Sequence, residues 1–483
     1  MSIKRQVVRG VSWTASSMAI TTIAQFAQLL ILARLLPPST LGLMAMLLVV
    51  LNFSQQYADL GVSNAIIHKQ GQSRETLSSL YWINLIAGFA LFLLILLGAP
   101  IIAAVFQEPH LTKPLYWTAI NFVILPLGQQ YRVLLQKEMR FKAIAITDCT
   151  AVALGTFVSI LLAANGYEIY AIVWGYLIIS TIKSVTFAYW GFKAQKPIFR
   201  LRFGHTKEYL RFGMYQLGER TVFFVNSNLD SLIIGRMLGA EALGYYMLAY
   251  NLAIVPILKI NPVLTSVMFP AFSKMQGEDR KLKESYFKVI RYLSFVNFPL
   301  LLGMVAAAPY AVSLVFGNHW SSSVTLIQLL AFVGIMRVIG NPIGALLMAV
   351  GKVDMGFKWH MAMLVTAIPI LATGAYTFGV VGVASGYILY QLIYVVTNYS
   401  YLLRGLFGSC LRSFIGSFAP ALAFSTIMAA SMVGAALLIE SDKTSVIVVL
   451  QLLLGTIVYA LISLVFVRKR LTGGKLHSER NLS

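Results

Sequence analysis

Charge is what this chain has least of. Only 11% of its 483 residues are Asp, Glu, Lys or Arg, where a soluble globular domain carries roughly 25%. Acids are scarcest, 17 in all, while 58% of the residues are apolar and the mean hydropathy is +0.77. So few charges cannot coat a water-facing surface, which excludes a soluble globule and points to a polytopic membrane protein. Two cysteines, Cys149 and Cys410, are too few for a disulfide framework, and both fall near span ends on the side assigned below to the cytoplasm. The six histidines, at positions 68, 110, 205, 319, 360 and 477, lack metal-ligand spacing. His360, beside Trp359, reads as a satisfied helix-end residue. No G-x-S-x-G or phosphate-loop pattern occurs, and the loops expected outside are too short for a catalytic domain. The chain therefore reads as a non-enzyme without cofactor. Its basic start, MSIKRQVVRG, is not followed by a compact apolar core with a small-residue cleavage site, so the first apolar stretch is expected to be retained as a span.

What is present is apolar length. Fourteen windows are long enough to cross a bilayer, since about 20 residues at 1.5 Å each cover roughly 30 Å. They run from 11–35 to 445–467 and include 114–135, 213–235, 241–266, 357–378 and 380–402. Pro100, Pro299 and Pro309 are expected to kink or end their helices. With the N-terminus inside, thirty of the 38 Lys and Arg fall on inside segments and only Arg34, Lys113, Arg236 and Lys443 outside. That bias is the positive-inside signature. It supports an even number of spans with both termini cytoplasmic, and it assigns the net charge of +21 to topology rather than to nucleic acid.

The two halves repeat. Arg34, Leu41 and Gly42 read R-x6-LG, and Arg236, Leu243 and Gly244 read the same; Pro126, Gly128, Glu138, Phe141 and Lys142 return as Pro342, Gly344, Asp354, Phe357 and Lys358. A repeat of six helices, an even number, inserts twice in the same orientation, related by an axis along the membrane normal. The expected fold is all-α, with two pseudo-symmetric six-helix lobes, 1–193 and 213–404, joined by a cytoplasmic interfacial linker at 194–212. Two extra transmembrane helices and a basic tail occupy 405–483.

Polar side chains inside spans mark candidate sites, because a lipid-facing stripe would lose its hydration without replacement. Thr14, Ser17, Thr21, Gln25 and Gln28 share one helical face, as do Asn52, Gln56, Asp59 and Ser63, and Gln216, Glu219, Asn226 and Asp230. Such stripes either bond neighbouring helices or line a hydrated cavity, the reading taken for Gln25 and Gln56. Four cations lie within spans: Lys183, Arg220, Lys259 and Arg337. The lysines either snorkel to the interface or join the arginines in gripping a phosphate, which the guanidinium fork suits best. Asp59, Glu219 and Asp230 either neutralise these cations or bind a coupling H⁺ or Na⁺. Arg34 and Arg236, at outside turns, are candidates for gating. So is Pro342, one of several prolines with Pro256, Pro262 and Pro270 that bend helices either for motion or for packing.

The stretches PLGQQYRVLLQKEMRF at 126–141, NPIGALLMAVGKVDMGFK at 341–358, LARLLPPSTLGLM at 32–44, DLGVSNAIIHK at 59–69 and LAYNLAIVPILKINPVLTSVMFPAF at 248–272 resemble the Wzx-type polysaccharide exporters of the MOP superfamily. The resemblance covers most of the first twelve spans and fades after Arg412. It implies two six-helix lobes working by alternating access. The implied substrate is an undecaprenyl-pyrophosphate-linked oligosaccharide repeat unit, flipped across a bacterial inner membrane for exopolysaccharide or lipopolysaccharide synthesis. Membrane lipids and a polysaccharide polymerase machinery would be its partners. The site residues above rest on the buried charges and not on the family. Two alternatives stand beside this expectation: a multidrug or organic-ion exporter of the same superfamily, and a membrane polysaccharide polymerase, which would need a large catalytic loop.

Overall fold

The computed structural model describes the backbone of residues 3–58, 66, 73–194, 197–198, 203–438 and 444–480, and their side chains apart from 3–8, 194, 203–220, 223, 260, 262–267, 269–270, 353 and 466–480. Among the described residues the regular structure is helical throughout, as a bilayer demands of a chain that must satisfy its backbone within each segment. Packing divides the chain into two compact units, Met1–Gly244 and Tyr245–Ser483.

The first unit comprises α1 (Ile3–Leu35), α2 (Pro38–Ala58), α3 (Arg74–Phe106), α4 (Thr112–Ala119), α5 (Asn121–Lys137), α6 (Phe141–Ala164), α7 (Glu168–Ala194) and most of α8 (Phe203–Ala253). Local chemistry sets several of these ends. Ser73 accepts a hydrogen bond from the Thr76 amide at the start of α3, with Glu75 in the first turn, so the orphan amides meet an oxygen and a negative charge. Gly239, at φ 82°, bends α8 at the expected boundary between spans seven and eight; only glycine takes that conformation without a Cβ penalty. The boundary of the unit falls beyond this bend because Ala240 and Gly244 pack on α2.

The second unit continues with α9 (Val255–Lys274), α10 (Asp279–Val315), α11 (Ser322–Gly340), α12 (Ile343–Ala349), α13 (Val353–Thr397), a π-helical turn at Asn398–Leu403, a short turn of helix at Arg404–Phe407, α14 (Leu411–Leu438) and α15 (Thr444–Arg480). Within α13 the backbone of Gly374 touches that of Gly382. Eight residues of straight helix would separate them by about 12 Å, so the chain reverses at Phe378 and Gly379, where φ is 59° at the glycine. Eleven described stretches are long and apolar enough to cross a membrane. The expected fourteen follow when Asp354–Phe407 is counted as two across this reversal, α4 with α5 as the fourth, and α9 as completing the eighth.

Three expectations are refined. Pro100, Pro299 and Pro309 do not end helices; they lie inside α3 and α10. Pro256 opens α9 and Pro342 caps α12, so these two do interrupt. The C-terminal pair, expected as an addition, is built into its unit. Gln451 donates to the carbonyls of Ala306 and Met432, Tyr459 donates to the Phe295 carbonyl at 2.7 Å, and Met428 and Met432 close on Ala306 and Ala307. Large apolar side chains such as Leu97, Ile101, Phe157 and Leu464 remain exposed, the outward face of a protein whose solvent is lipid.

Candidate functional site

The polar stripe of α1 faces a cavity inside the first unit. Thr14, Ser17, Thr21 and Gln25 line it with Arg132 and Gln136 of α5, Asp148 of α6 and Lys183 of α7, and its volume is about 370 Å³. Helix α1 is held against α6 by Ser17, whose hydroxyl donates to the Ala145 carbonyl, and by Thr156, which donates to Gln28 at 3.1 Å. Thr14 and Thr21 donate back to the carbonyls of Gly10 and Ser17 on their own helix, so their hydroxyl oxygens still present lone pairs to the cavity.

Asp148 joins the two cations of this wall. Its Oδ1 lies 2.9 Å from Lys183 Nζ and its Oδ2 lies 3.5 Å from Arg132 Nη2. The side chains are 16%, 32% and 40% exposed respectively, so the carboxylate is the most enclosed of the three and Arg132 reaches furthest into open space. Among the described residues, two cations against one carboxylate leave the lining with an excess positive charge, next to uncharged groups that both donate and accept hydrogen bonds. Such a wall suits an anion carrying many hydroxyls.

A second cluster lies in the other unit. Arg337 donates to the hydroxyls of Tyr250, at 3.3 Å, and Tyr387, and its guanidinium lies 5.2 Å from the Tyr387 ring centre. Tyr387, Tyr390 and Tyr394 follow one face of α13, with centroids 5.8 and 6.3 Å apart, and Trp359 packs on Tyr394 at 4.3 Å. Tyr387, Tyr390 and Trp359 are all buried. This is a packed aromatic column holding a cation, a setting in which a guanidinium is well stabilised.

These placements sort the expected residues. Lys183 and Gln25 line the cavity, while Arg337 sits in the tyrosine cluster. Lys259 is on an exposed face of α9 and Gln56 is half-buried on α2. The neighbouring Gln55 bonds the Tyr176 hydroxyl and lines a smaller cavity of about 150 Å³. Asp230 is buried, with Oδ1 accepting from the Ser231 amide at 2.8 Å. Arg34 and Arg236 are exposed and Pro342 is buried. Asp59 and the side chains of Glu219 and Arg220 lie outside the described residues.

A family model described as "Polysaccharide biosynthesis protein" matches residues 31–325. The lipopolysaccharide biosynthesis protein WzxC of Escherichia coli (strain K12) is 34% identical over 416 residues, which is 86% of this chain and 84% of that protein. The chain belongs to the polysaccharide biosynthesis protein family. Among solved structures it is similar to the lipid II flippase MurJ in its inward closed conformation, with a TM-score of 0.74 over 96% of this chain and all of that one at 16% identity. It is also similar to an inward-facing multidrug resistance MATE family transporter of the MOP superfamily, with a TM-score of 0.60 over 85% of this chain and 98% of that one at 17% identity. At these identities the likeness is one of fold. This family member therefore shares its architecture with a lipid flippase and with a drug transporter, and the chemistry of its cavity has to decide between them.

Three features of this polysaccharide biosynthesis protein emerge only from the structure: Asp148, Arg132 and the tyrosines of α13. Asp148 lies inside the predicted span 143–164, and a lone carboxylate there was itself a signal. Arg132 reads in the sequence as an inside cation, although α5 continues to Lys137 and carries it along the helix wall. The tyrosines at 387, 390 and 394 had a signal too, gaps of three and four along one face.

Proposed function

We propose that this chain is a flippase for lipid-linked oligosaccharides, moving undecaprenyl-pyrophosphate-linked repeat units from the cytoplasmic to the periplasmic leaflet of a bacterial inner membrane by alternating access. The observation that carries the reading is the cavity walled by Arg132, Lys183 and the α1 stripe. Pyrophosphate and sugar hydroxyls cannot enter hydrocarbon without losing their hydration, at several kcal/mol per unsatisfied group. A cationic, hydroxyl- and amide-lined chamber replaces that hydration while the polyprenyl tail stays in lipid. Family membership supports a polysaccharide precursor as cargo, and the fold shared with MurJ supports movement of a lipid-borne one. Both termini lie in the cytoplasm on this reading, the polymerase machinery receives the flipped unit, and an H⁺ or Na⁺ gradient, the membrane potential or the downstream polymerisation drives the cycle.

The MATE-like fold keeps a multidrug exporter as the rival. A pump for organic cations needs an excess of acid where its substrate binds, whereas among the described residues the cavity holds two cations and one carboxylate. The deciding experiment is a proteoliposome assay of leaflet exchange with a pyrophosphate-linked glycan on a polyprenyl carrier, under imposed proton, sodium or voltage gradients. Protein-dependent exchange is expected; its absence under every gradient, with export of cationic dyes instead, establishes the rival.

A further inference from the structure

The Arg132–Asp148–Lys183 group poses a problem for any anion transporter. Cations facing a low-dielectric surrounding need a counter-charge at every stage, because an unpaired one is costly. In this structure Asp148 supplies it. Its two oxygens are divided between two cations from different helices, Oδ1 to Lys183 on α7 at 2.9 Å and Oδ2 to Arg132 on α5 at 3.5 Å. That is the bridging arrangement in which one phosphoryl group, with two or more equivalent oxygens, would join the same two donors. The three side chains meet on the wall of the cavity and not in packed interior, so an entering anion reaches them. The contact to Arg132 is the longer and the more exposed of the two, and it is the one an anion would take first.

Resting on the flippase reading, we propose that Asp148 is a resident counter-anion, displaced from Arg132 and Lys183 when the pyrophosphate of the substrate enters and returning to them when it leaves. Asp148 thereby acts as a positioning residue that sets release. A pyrophosphate meeting two uncompensated cations would bind tightly and leave slowly; one competing with a tethered carboxylate is released. The cations never lack a partner at either end of the cycle. The ligand chemistry is a pyrophosphate ester, and the polyprenyl carrier is the source assigned to it.

The test is binding of farnesyl pyrophosphate to the purified full-length protein in detergent, with inorganic pyrophosphate in parallel. Asp148→Asn keeps the size and one acceptor oxygen but removes the competing charge, and it is expected to tighten farnesyl pyrophosphate binding by about tenfold or more while slowing leaflet exchange. Adding Lys183→Gln to it should abolish the gain. Unchanged or weaker binding by Asp148→Asn overturns the proposal, and tightening confined to inorganic pyrophosphate overturns the lipid source. Should Asp148→Asn fail to fold, the wild-type protein carrying ¹³C-carboxyl aspartate gives a second readout. Farnesyl pyrophosphate should shift a carboxylate stretch in the infrared difference spectrum, and a flat spectrum with ligand bound overturns the idea. The two readings fail separately: tightening without wild-type exchange retains this site and removes the flippase, whereas exchange without tightening does the reverse.

Discussion

Gly42 and Gly244 meet backbone to backbone. A Cβ on Gly42 would lie 1.6 Å from the Ala240 carbonyl oxygen and 2.9 Å from the Gly244 nitrogen; one on Gly244 would lie 1.9 Å from the Pro38 carbonyl oxygen and 3.2 Å from the Gly42 nitrogen. The pattern is reciprocal. Pro38 and Ala240 occupy the same place in the two copies of the repeat as Gly42 and Gly244 do, so each copy presents its glycine to the other's preceding turn. This is the contact that a local two-fold axis produces, residue i against j′ and j against i′. The flanking residues match as well: Leu41 and Leu243 are buried, Arg34 and Arg236 exposed.

Neither glycine tolerates a side chain. Gly42→Ala and Gly244→Ala should each weaken this contact by about 1–3 kcal/mol, the usual cost of overpacking, and by symmetry to a similar degree. Gly416, whose Cβ would meet nothing, is the control. In a background lacking Cys149 and Cys410, a cysteine at the buried Thr40 should resist a polar maleimide and become labelled once either glycine is replaced. Equal labelling in all three glycine variants would rule out a locked contact.

Glu108 fastens the same region, since its Oε1 accepts from the Ala240 amide at 3.0 Å just after the bend at Gly239. Glu108→Gln retains an acceptor but loses the charge, and should cost only about 1 kcal/mol. Glu108→Ala leaves the amide without it and should cost about 1.5–3 kcal/mol, the range for a hydrogen bond to a charged group. Thermal unfolding in detergent and the Thr40 labelling rate report the difference.

Arg337 is held by tyrosines. Tyr387→Phe removes one acceptor and should lower stability by about 1–2 kcal/mol with leaflet exchange unchanged per folded molecule. Arg337→Gln should destabilise more, because it removes the charge around which both hydroxyls are arranged. If Tyr387→Phe instead abolishes exchange at full stability, the cluster belongs to the transport path.

The two cysteines provide native reporters. Cys149 is half-buried with Sγ 3.5 Å from Ser17 Oγ, beside the cavity, whereas Cys410 is buried. Burial pushes the Cys410 thiol up, with Lys283 opposing in part, so at neutral pH it stays protonated and poorly nucleophilic. Maleimide should label Cys149 and spare Cys410, whose labelling should rise only as pH climbs above the ordinary thiol range of about 8.5. Farnesyl pyrophosphate should protect Cys149. Mass spectrometry of the labelled peptides separates the two sites.

Much of this protein was written in its sequence because a bilayer acts on sequence directly. Apolar length decides what can span, and backbone hydrogen bonds must close within each helix, so fourteen spans and a six-helix repeat are legible in the sequence. The three- and four-residue gaps of Thr14, Ser17, Thr21 and Gln25 likewise mark one face, the face that lines the cavity. Partnership was not legible. Asp148 meets Lys183 and Arg132 only because α5, α6 and α7 pack side by side, and Arg337 meets Tyr250 across 87 residues of chain and Tyr387 across 50. Depth along a span says that a charge needs a partner; only the packing of helices decides which partner it has, and whether the pair faces a cavity or a closed aromatic wall.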